Sequence, residues 1–188
     1  SDGSGKAVYL VGSHHWDNFQ RWFEGETQQG MKAGHLGRFA DYLDVLEKHR
    51  HNLVRLWVGD TAWSPITKAP IEPQPYVRTG PDRAADGGLK FDLTRLNQAY
   101  FDELRARVIA ARDRGIYVSV MLFNSWGISR YHNIPPSTLT WPYHPFNKGN
   151  NVNGIDGDPN GDDLGLEYHT LQIPAITRLQ ETYVRKVV

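Results

Sequence analysis

The chain has 188 residues, with 21 basic and 21 acidic side chains and no cysteine. Zero net charge leaves no electrostatic footprint for nucleic acid or an anionic membrane, and the lack of cysteine excludes disulfides, thiolate chemistry and cysteine metal sites. The longest apolar runs are strand length, short of the roughly 20 residues that span a bilayer.

In chain order, Ala7-Val-Tyr-Leu-Val-Gly12 reads as a strand running into the cluster Ser13-His14-His15-Trp16. Phe39, Tyr42, Leu43 and Leu46 then recur at helical spacing. A second strand, Asn52-Leu-Val-Arg55-Leu-Trp57, runs into Gly59-Asp60, and residues 59–92 are punctuated by five prolines and read as loop. Asn97 is placed to cap a helix with the apolar stripe Tyr100, Phe101, Leu104, Val108 and Ala111, which Gly115 stops. The third strand, Ile116 to Phe123, runs into Asn124-Ser125-Trp126-Gly127. Residues 124–172 read as a second long loop. Pro174 opens a last helix with Ile176, Leu179, Tyr183, Val184 and Val187 on one stripe.

This βαβαβα alternation, with long strand-to-helix loops and short returns, predicts an α/β fold of the partial (β/α)8 TIM barrel type: the first three βα units, with function on the rim at the strand ends. The apolar last helix and bare first strand predict that residues 1–188 are the N-terminal part of a single (β/α)8 catalytic domain, truncated before strand four. A doubly wound dinucleotide fold is disfavoured, because Asp2-Gly-Ser-Gly5 precedes the first strand instead of following it.

All six tryptophans, at 16, 22, 57, 63, 126 and 141, fall at strand ends or in the segments after strands. Flat indole faces edged by Asn, His and Asp suit the apolar faces of pyranose rings. His14, Trp16, Arg55, Trp57, Asn124 and Trp126 are therefore the candidate substrate-binding residues. Strand alternation groups Leu53, Arg55 and Trp57 on one face, expected to be the barrel interior, where Arg55 needs a carboxylate partner, catalytic or structural such as Asp60. His14 is a candidate to bond a substrate hydroxyl or orient a carboxylate. His35, His49, His51, His132, His144 and His169 show no metal-ligand spacing and are assigned no chemistry. Asp17, Glu24, Asp60 and Glu72 lie in rim loops, where solvated carboxylates are the rule.

Residues 5–20, 52–57, 90–97 and 115–123 together resemble the first half of the cellulase-like (β/α)8 glycoside hydrolases, the retaining enzymes of clan A, and the opening strand is also similar to the apiosidase-like branch. The resemblance implies that Arg55 contacts a catalytic nucleophile and that Asn124, Ser125 and Trp126 line the glycone side. It also implies an acid/base glutamate in an Asn-Glu pair after strand four and a nucleophile after strand seven. The chain contains no Asn-Glu pair. Both catalytic carboxylates are thus expected beyond residue 188, no catalytic residue is assigned within the chain, and the chain alone is expected to be inactive.

A separate motif runs from Asp156 to Glu167 and fits D-x-[DN]-x-[DN]-G-x5-E. Asp156, Asp158, Asn160, Asp162 (through its carbonyl) and Glu167 are the candidate ligands of a structural Ca2+ ion. The flanks are not those of an EF-hand, and Pro159 and Asp163 depart from the usual pattern. The expected function is a glycoside hydrolase acting on poly- or oligosaccharide by a retaining two-carboxylate mechanism. The alternative is a non-catalytic, calcium-dependent carbohydrate-binding protein. The expected partners are carbohydrate and either the remainder of the barrel or a second copy, with no nucleic acid and no membrane. The sequence fixes no compartment; a polysaccharide-acting parent favours secretion or the periplasm.

Overall fold

The structure, a computed structural model, describes residues 3–15, 18–20, 39–124 and 139–188. Trp16, Trp126, Asp17, Glu24 and Ser125 lie outside the described residues. The elements are β1 (Gly12–Ser13), α1 (Phe39–Lys48), β2 (Leu53–Leu56), β3 (Trp63–Ser64), β4 (Ala69–Pro70), β5 (Tyr76–Arg83), β6 (Leu89–Leu96), α2 (Gln98–Arg112), β7 (Tyr117–Val120) and α3 (Pro174–Val187). No helix among the described residues is long and apolar enough to cross a membrane.

The helices form where the apolar period is 3.6. In α1 the residues Phe39, Leu43 and Leu46 are buried, and in α2 Tyr100, Phe101, Leu104 and Ala111 are. Asn97 caps α2 by accepting the Ala99 N–H, and Gly115, at φ +69°, follows its end in the left-handed region that glycine reaches without strain. Pro174 opens α3.

β1, β2 and β7 form a parallel sheet in the order β1-β2-β7, with Gly12 opposite Leu53 and Leu53 opposite Tyr117. Val54, Leu56 and Val58 turn to one face and pack with α1, α2 and Tyr183 of α3 in the first core. Burying side chains of this size contributes about 1.5–3 kcal/mol each. The edge of β2 past the end of β1 is covered by buried side-chain amides. Asn18 donates to the Arg55 carbonyl at 2.5 Å and accepts the Trp57 N–H at 2.9 Å.

The expectation of a partial (β/α)8 barrel is overturned. The described chain is a mixed α/β fold with one three-stranded parallel sheet and two two-stranded antiparallel sheets, β3-β4 and β5-β6. One reason is the sheet's second face. A barrel wraps that face around a packed interior, whereas here Arg55, Ser119 and Tyr117 are exposed, Tyr117 at 42%. The first strand also shrinks to Gly12–Ser13, with Tyr9 left 85% exposed. Asn52 takes the positions a longer strand would use: its side chain accepts the Val11 N–H and donates to the Tyr9 carbonyl.

The other reason is that both expected loops build a second core. Ala62, Tyr76 and Phe91 come from the first, and Trp141, Phe146 and Tyr168 from the second, joined by Leu93 of β6 and Ile176 of α3. The hairpin β5-β6 is locked by an ion pair between Arg78 and Asp86, with the Arg78 guanidinium 4.0 Å above the Phe91 ring. Asn153 Oδ1 accepts the Leu93 N–H at 2.7 Å and so fastens the second segment to β6. Leu96 and Phe123 pack against both cores.

Candidate functional site

β2 runs out through Trp57, Val58 and Gly59 to Asp60, and the backbone there is fixed by buried amides. The Gln20 side chain donates to the Gly59 carbonyl at 3.0 Å and accepts the Gly59 N–H at 2.6 Å. It also donates to the Pro73 carbonyl, while the Gln74 amide donates to the carbonyls of Thr61 and Ile71. Gln20 is 1% exposed and Gln74 5%. Both sides of Asp60 are thus held still.

The Asp60 side chain is 11% exposed, and its Oδ2 accepts the Asn124 N–H at 3.0 Å from the carboxyl end of β7. Burial pushes its pKa up to about 7, and the N–H groups of Asn124 and of Asp60 itself offset that only in part. A carboxyl group that gains and loses its proton near neutrality, with an edge still open to solvent, is suited to proton transfer.

The wall behind it is aromatic. His144 is 1% exposed, and its Nε2 lies 4.0 Å from Asp60 Oδ2. That contact is not an ion pair: burial first, and then the His169 charge, hold the His144 pKa well below the ordinary imidazole value, so the ring is neutral. Its Nδ1 accepts the Phe146 N–H at 3.1 Å, which places the single ring proton on Nε2, facing Asp60. Trp141 stacks on His144 at 5.0 Å, and Tyr168 meets its face edge-on at 4.4 Å. An ionised Asp60 opposes ionisation of Tyr100, Tyr168 and Tyr183.

The expected sugar-binding residues divide into two groups. His14, Arg55 and Trp57 share the open face of the sheet: the His14 and Trp57 rings stack at 5.3 Å and 14°, and the Arg55 guanidinium lies 5.4 Å from the Trp57 ring. Arg55 is exposed and, among the described residues, makes no ion pair. The expectation that Arg55 is buried is corrected: its side chain is solvated, and its expected carboxylate partner is not found among the described residues. Asn124 belongs instead with Asp60. It is 6% exposed, and its backbone N–H donates to the acid. Trp16 and Trp126 lie outside the described residues.

The acidic motif forms a loop that closes on itself. Asp156 accepts the Asp158 N–H and faces Lys148 at 3.8 Å; Asn160 accepts the Asp162 N–H and donates to Glu167; Asp162 accepts the Leu164 N–H. Among the described residues, no three His, Asp or Glu side chains form a ready cluster for a metal ion. The loop is seated on Trp141. A Cβ at Gly157 would fall 2.6 Å from the indole, and one at Gly165 would fall 2.2 Å from it.

Sequence reasoning placed Asp60 among the solvated rim carboxylates or as a structural partner of Arg55, and gave His144 no role. The available signal was aromatic density: Trp141-Pro-Tyr-His144-Pro-Phe146 is too apolar to be a solvated loop. No protein-family model matches the chain, and no curated protein or solved structure matches it either.

Proposed function

We propose that the chain is a glycoside hydrolase, or part of one, in which Asp60 is the proton donor to the departing sugar oxygen. The observation that carries this reading is Asp60 itself: a mostly buried carboxyl at the carboxyl ends of two parallel strands, with its pKa pushed up to about 7. Ligands of parallel α/β sheets gather outside those strand ends. A carboxylic acid kept protonated near neutrality is what glycosidic cleavage asks of its general acid.

In the step envisaged, Asp60 gives its proton to the glycosidic oxygen as the bond from that oxygen to the anomeric carbon breaks. The leaving sugar departs as an alcohol, and a carboxylate or water takes the electron-poor anomeric carbon. The stacked His14 and Trp57 rings supply an aromatic platform on which a pyranose face can lie. The fixed Gly59 backbone and the neutral His144 keep Asp60 in place and limit water around it.

A second reading, non-catalytic carbohydrate binding, is favoured by one fact. Among the described residues no carboxylate charge bears on Asp60, whereas cleavage needs two carboxyl groups. The experiment is turnover of a panel of aryl glycosides and polysaccharides by the wild type and Asp60→Asn, followed across pH, with sugar binding measured alongside. Turnover that falls above about pH 7 and is lost in Asp60→Asn supports the hydrolase. Sugar binding without turnover, unaltered in Asp60→Asn, supports the binding protein. Neither turnover nor binding contradicts both.

A further inference from the structure

The twelve residues from Asp156 to Glu167 carry five carboxylates: Asp156, Asp158, Asp162, Asp163 and Glu167. Among the described ion pairs, the one cation at this loop is Lys148, facing Asp156. Acidity alone does not make a site, since carboxylates on an open loop are hydrated at little cost. Two of these are not open. Asp158 is 8% exposed, and its Oδ1 is buried with no hydrogen-bonding partner; Glu167 Oε2 is likewise buried without one.

Each of these carboxylates is anchored by its other oxygen. Asp158 Oδ2 accepts the Asp163 N–H at 2.9 Å, and Glu167 Oε1 accepts from Asn160 Nδ2 at 2.6 Å. The anchors fix the two groups and leave one oxygen of each withdrawn from water without a well-formed hydrogen bond, although the Gly165 N–H and the Asp162 side chain also bear on Asp158. Asn160 sits between them in sequence and already touches Glu167. Its amide oxygen accepts the Asp162 N–H and retains a second lone pair. Gly161, at φ +71°, makes the reversal that brings position twelve of the loop back toward position five.

We propose that this loop binds a hard divalent cation, Ca2+ above others, through Asp158 Oδ1 and Glu167 Oε2, with the Asn160 amide oxygen and water completing the shell. Anionic oxygens withdrawn from water in a crowd of like charges are relieved by a bound cation. The donors are all oxygen, which disfavours zinc, whose sites are built mainly on His nitrogen and Cys sulfur. Their irregular arrangement suits calcium, which accepts six to eight oxygens flexibly, better than magnesium, which demands a near-ideal octahedron. Two anionic ligands agree with the lack of a three-group cluster among the described residues. The five-ligand cage expected from the motif is narrowed accordingly: Asp156 faces Lys148.

The ion would also stiffen the wall of the Asp60 pocket. Tyr168 follows Glu167 directly and packs on His144, and Gly157 and Gly165 of the same loop press on Trp141, which stacks on His144. The proposal stands independently of the hydrolase reading, because its test needs no turnover.

The test is calorimetric titration of the chelator-treated chain with CaCl2 and, separately, MgCl2, paired with thermal unfolding in calcium and in EDTA. Expected are a calcium Kd between about 1 µM and 1 mM, weaker magnesium binding, and a lower Tm in EDTA. Asp158→Asn and Glu167→Gln should each weaken calcium by about tenfold or more, and Asp156→Asn by far less. No heat at about 5 mM calcium together with a Tm indifferent to EDTA overturns the site. Wild-type affinity in the Asp158→Asn/Glu167→Gln double variant overturns it as well. Should the double variant fail to fold, the EDTA effect on wild-type Tm still decides.

Discussion

Asp60 and the 156–167 loop both take carboxylates out of water, and they solve the problem in different ways. Around Asp60 the protein supplies the N–H groups of Asn124 and of Asp60 itself, a neutral imidazole and apolar rings, so the acid answers by holding its proton up to about pH 7. In the loop, Asp158 and Glu167 are each half-satisfied by a local donor and crowded by acids of their own kind. Burial, with the Asp162 charge adding to it, raises the Asp158 pKa too. A lone carboxyl in an apolar pocket becomes a proton reservoir, whereas several on one loop invite a shared cation.

The largest expected effect breaks the first half of that contrast. Asp60→Asn should lower turnover of a responsive glycoside by about 10²–10⁴-fold, measured as kcat/KM, and remove the alkaline limb near pH 7. Stability carries the same signature. Because the folded pKa of Asp60 lies above its unfolded value of 3.8, its contribution is full below about pH 4 and is lost as pH rises through about 7. Over that window the loss is up to about 4 kcal/mol, and denaturant titrations of Asp60→Asn at about pH 4 and pH 8 should show it abolished.

Next in size is Gly165→Ala. Its Cβ would fall 2.2 Å from the Trp141 ring, at a φ of +61°. A loss of about 2–4 kcal/mol in urea unfolding is expected, because the indole is buried and has no room to yield. Leu43→Ala, in the other core at 0% exposure, should cost a similar 2–5 kcal/mol or so by cavity formation, and without touching the pH dependence. The pair separates damage to the wall of the site from damage to the scaffold.

His144 should oppose Asp60 in pH. Its folded pKa is depressed below 6.5, so its contribution is present above that value and is lost as pH falls beneath it. His144→Gln should flatten the acid side of the stability profile, read by thermal unfolding between about pH 5 and 7. The smallest stability effect belongs to the open face. Trp57→Ala should change unfolding by about 0.5 kcal/mol or less while weakening sugar binding by about five- to thirtyfold in a fluorescence titration.

What the sequence revealed follows the same division between regions. α1, α2 and α3 are legible because their apolar residues recur at 3.6, and Asn97, Gly115 and Pro174 mark ends with a local mechanism. The second core is not legible, because Pro70 and Pro81, read as loop signals, sit inside β4 and β5, and the partners of Phe91 lie far along the chain. Arg55 shows the limit of alternation. The pattern separates Leu53, Arg55 and Trp57 from Val54, Leu56 and Val58, but which set meets the core depends on what covers the sheet, and here the helices cover Val54, Leu56 and Val58. The role of Asp60 depends on His144, eighty-four positions away, and no local spacing links the two.

The protonation of Asp60 is the claim on which the functional reading rests, and its carboxyl carbon can be followed directly by NMR in chain labelled with carbon-13 aspartate, using Asp60→Asn to assign the signal. A midpoint near pH 7 is the predicted result. A midpoint close to 4, the ordinary value for a solvated aspartate, contradicts it.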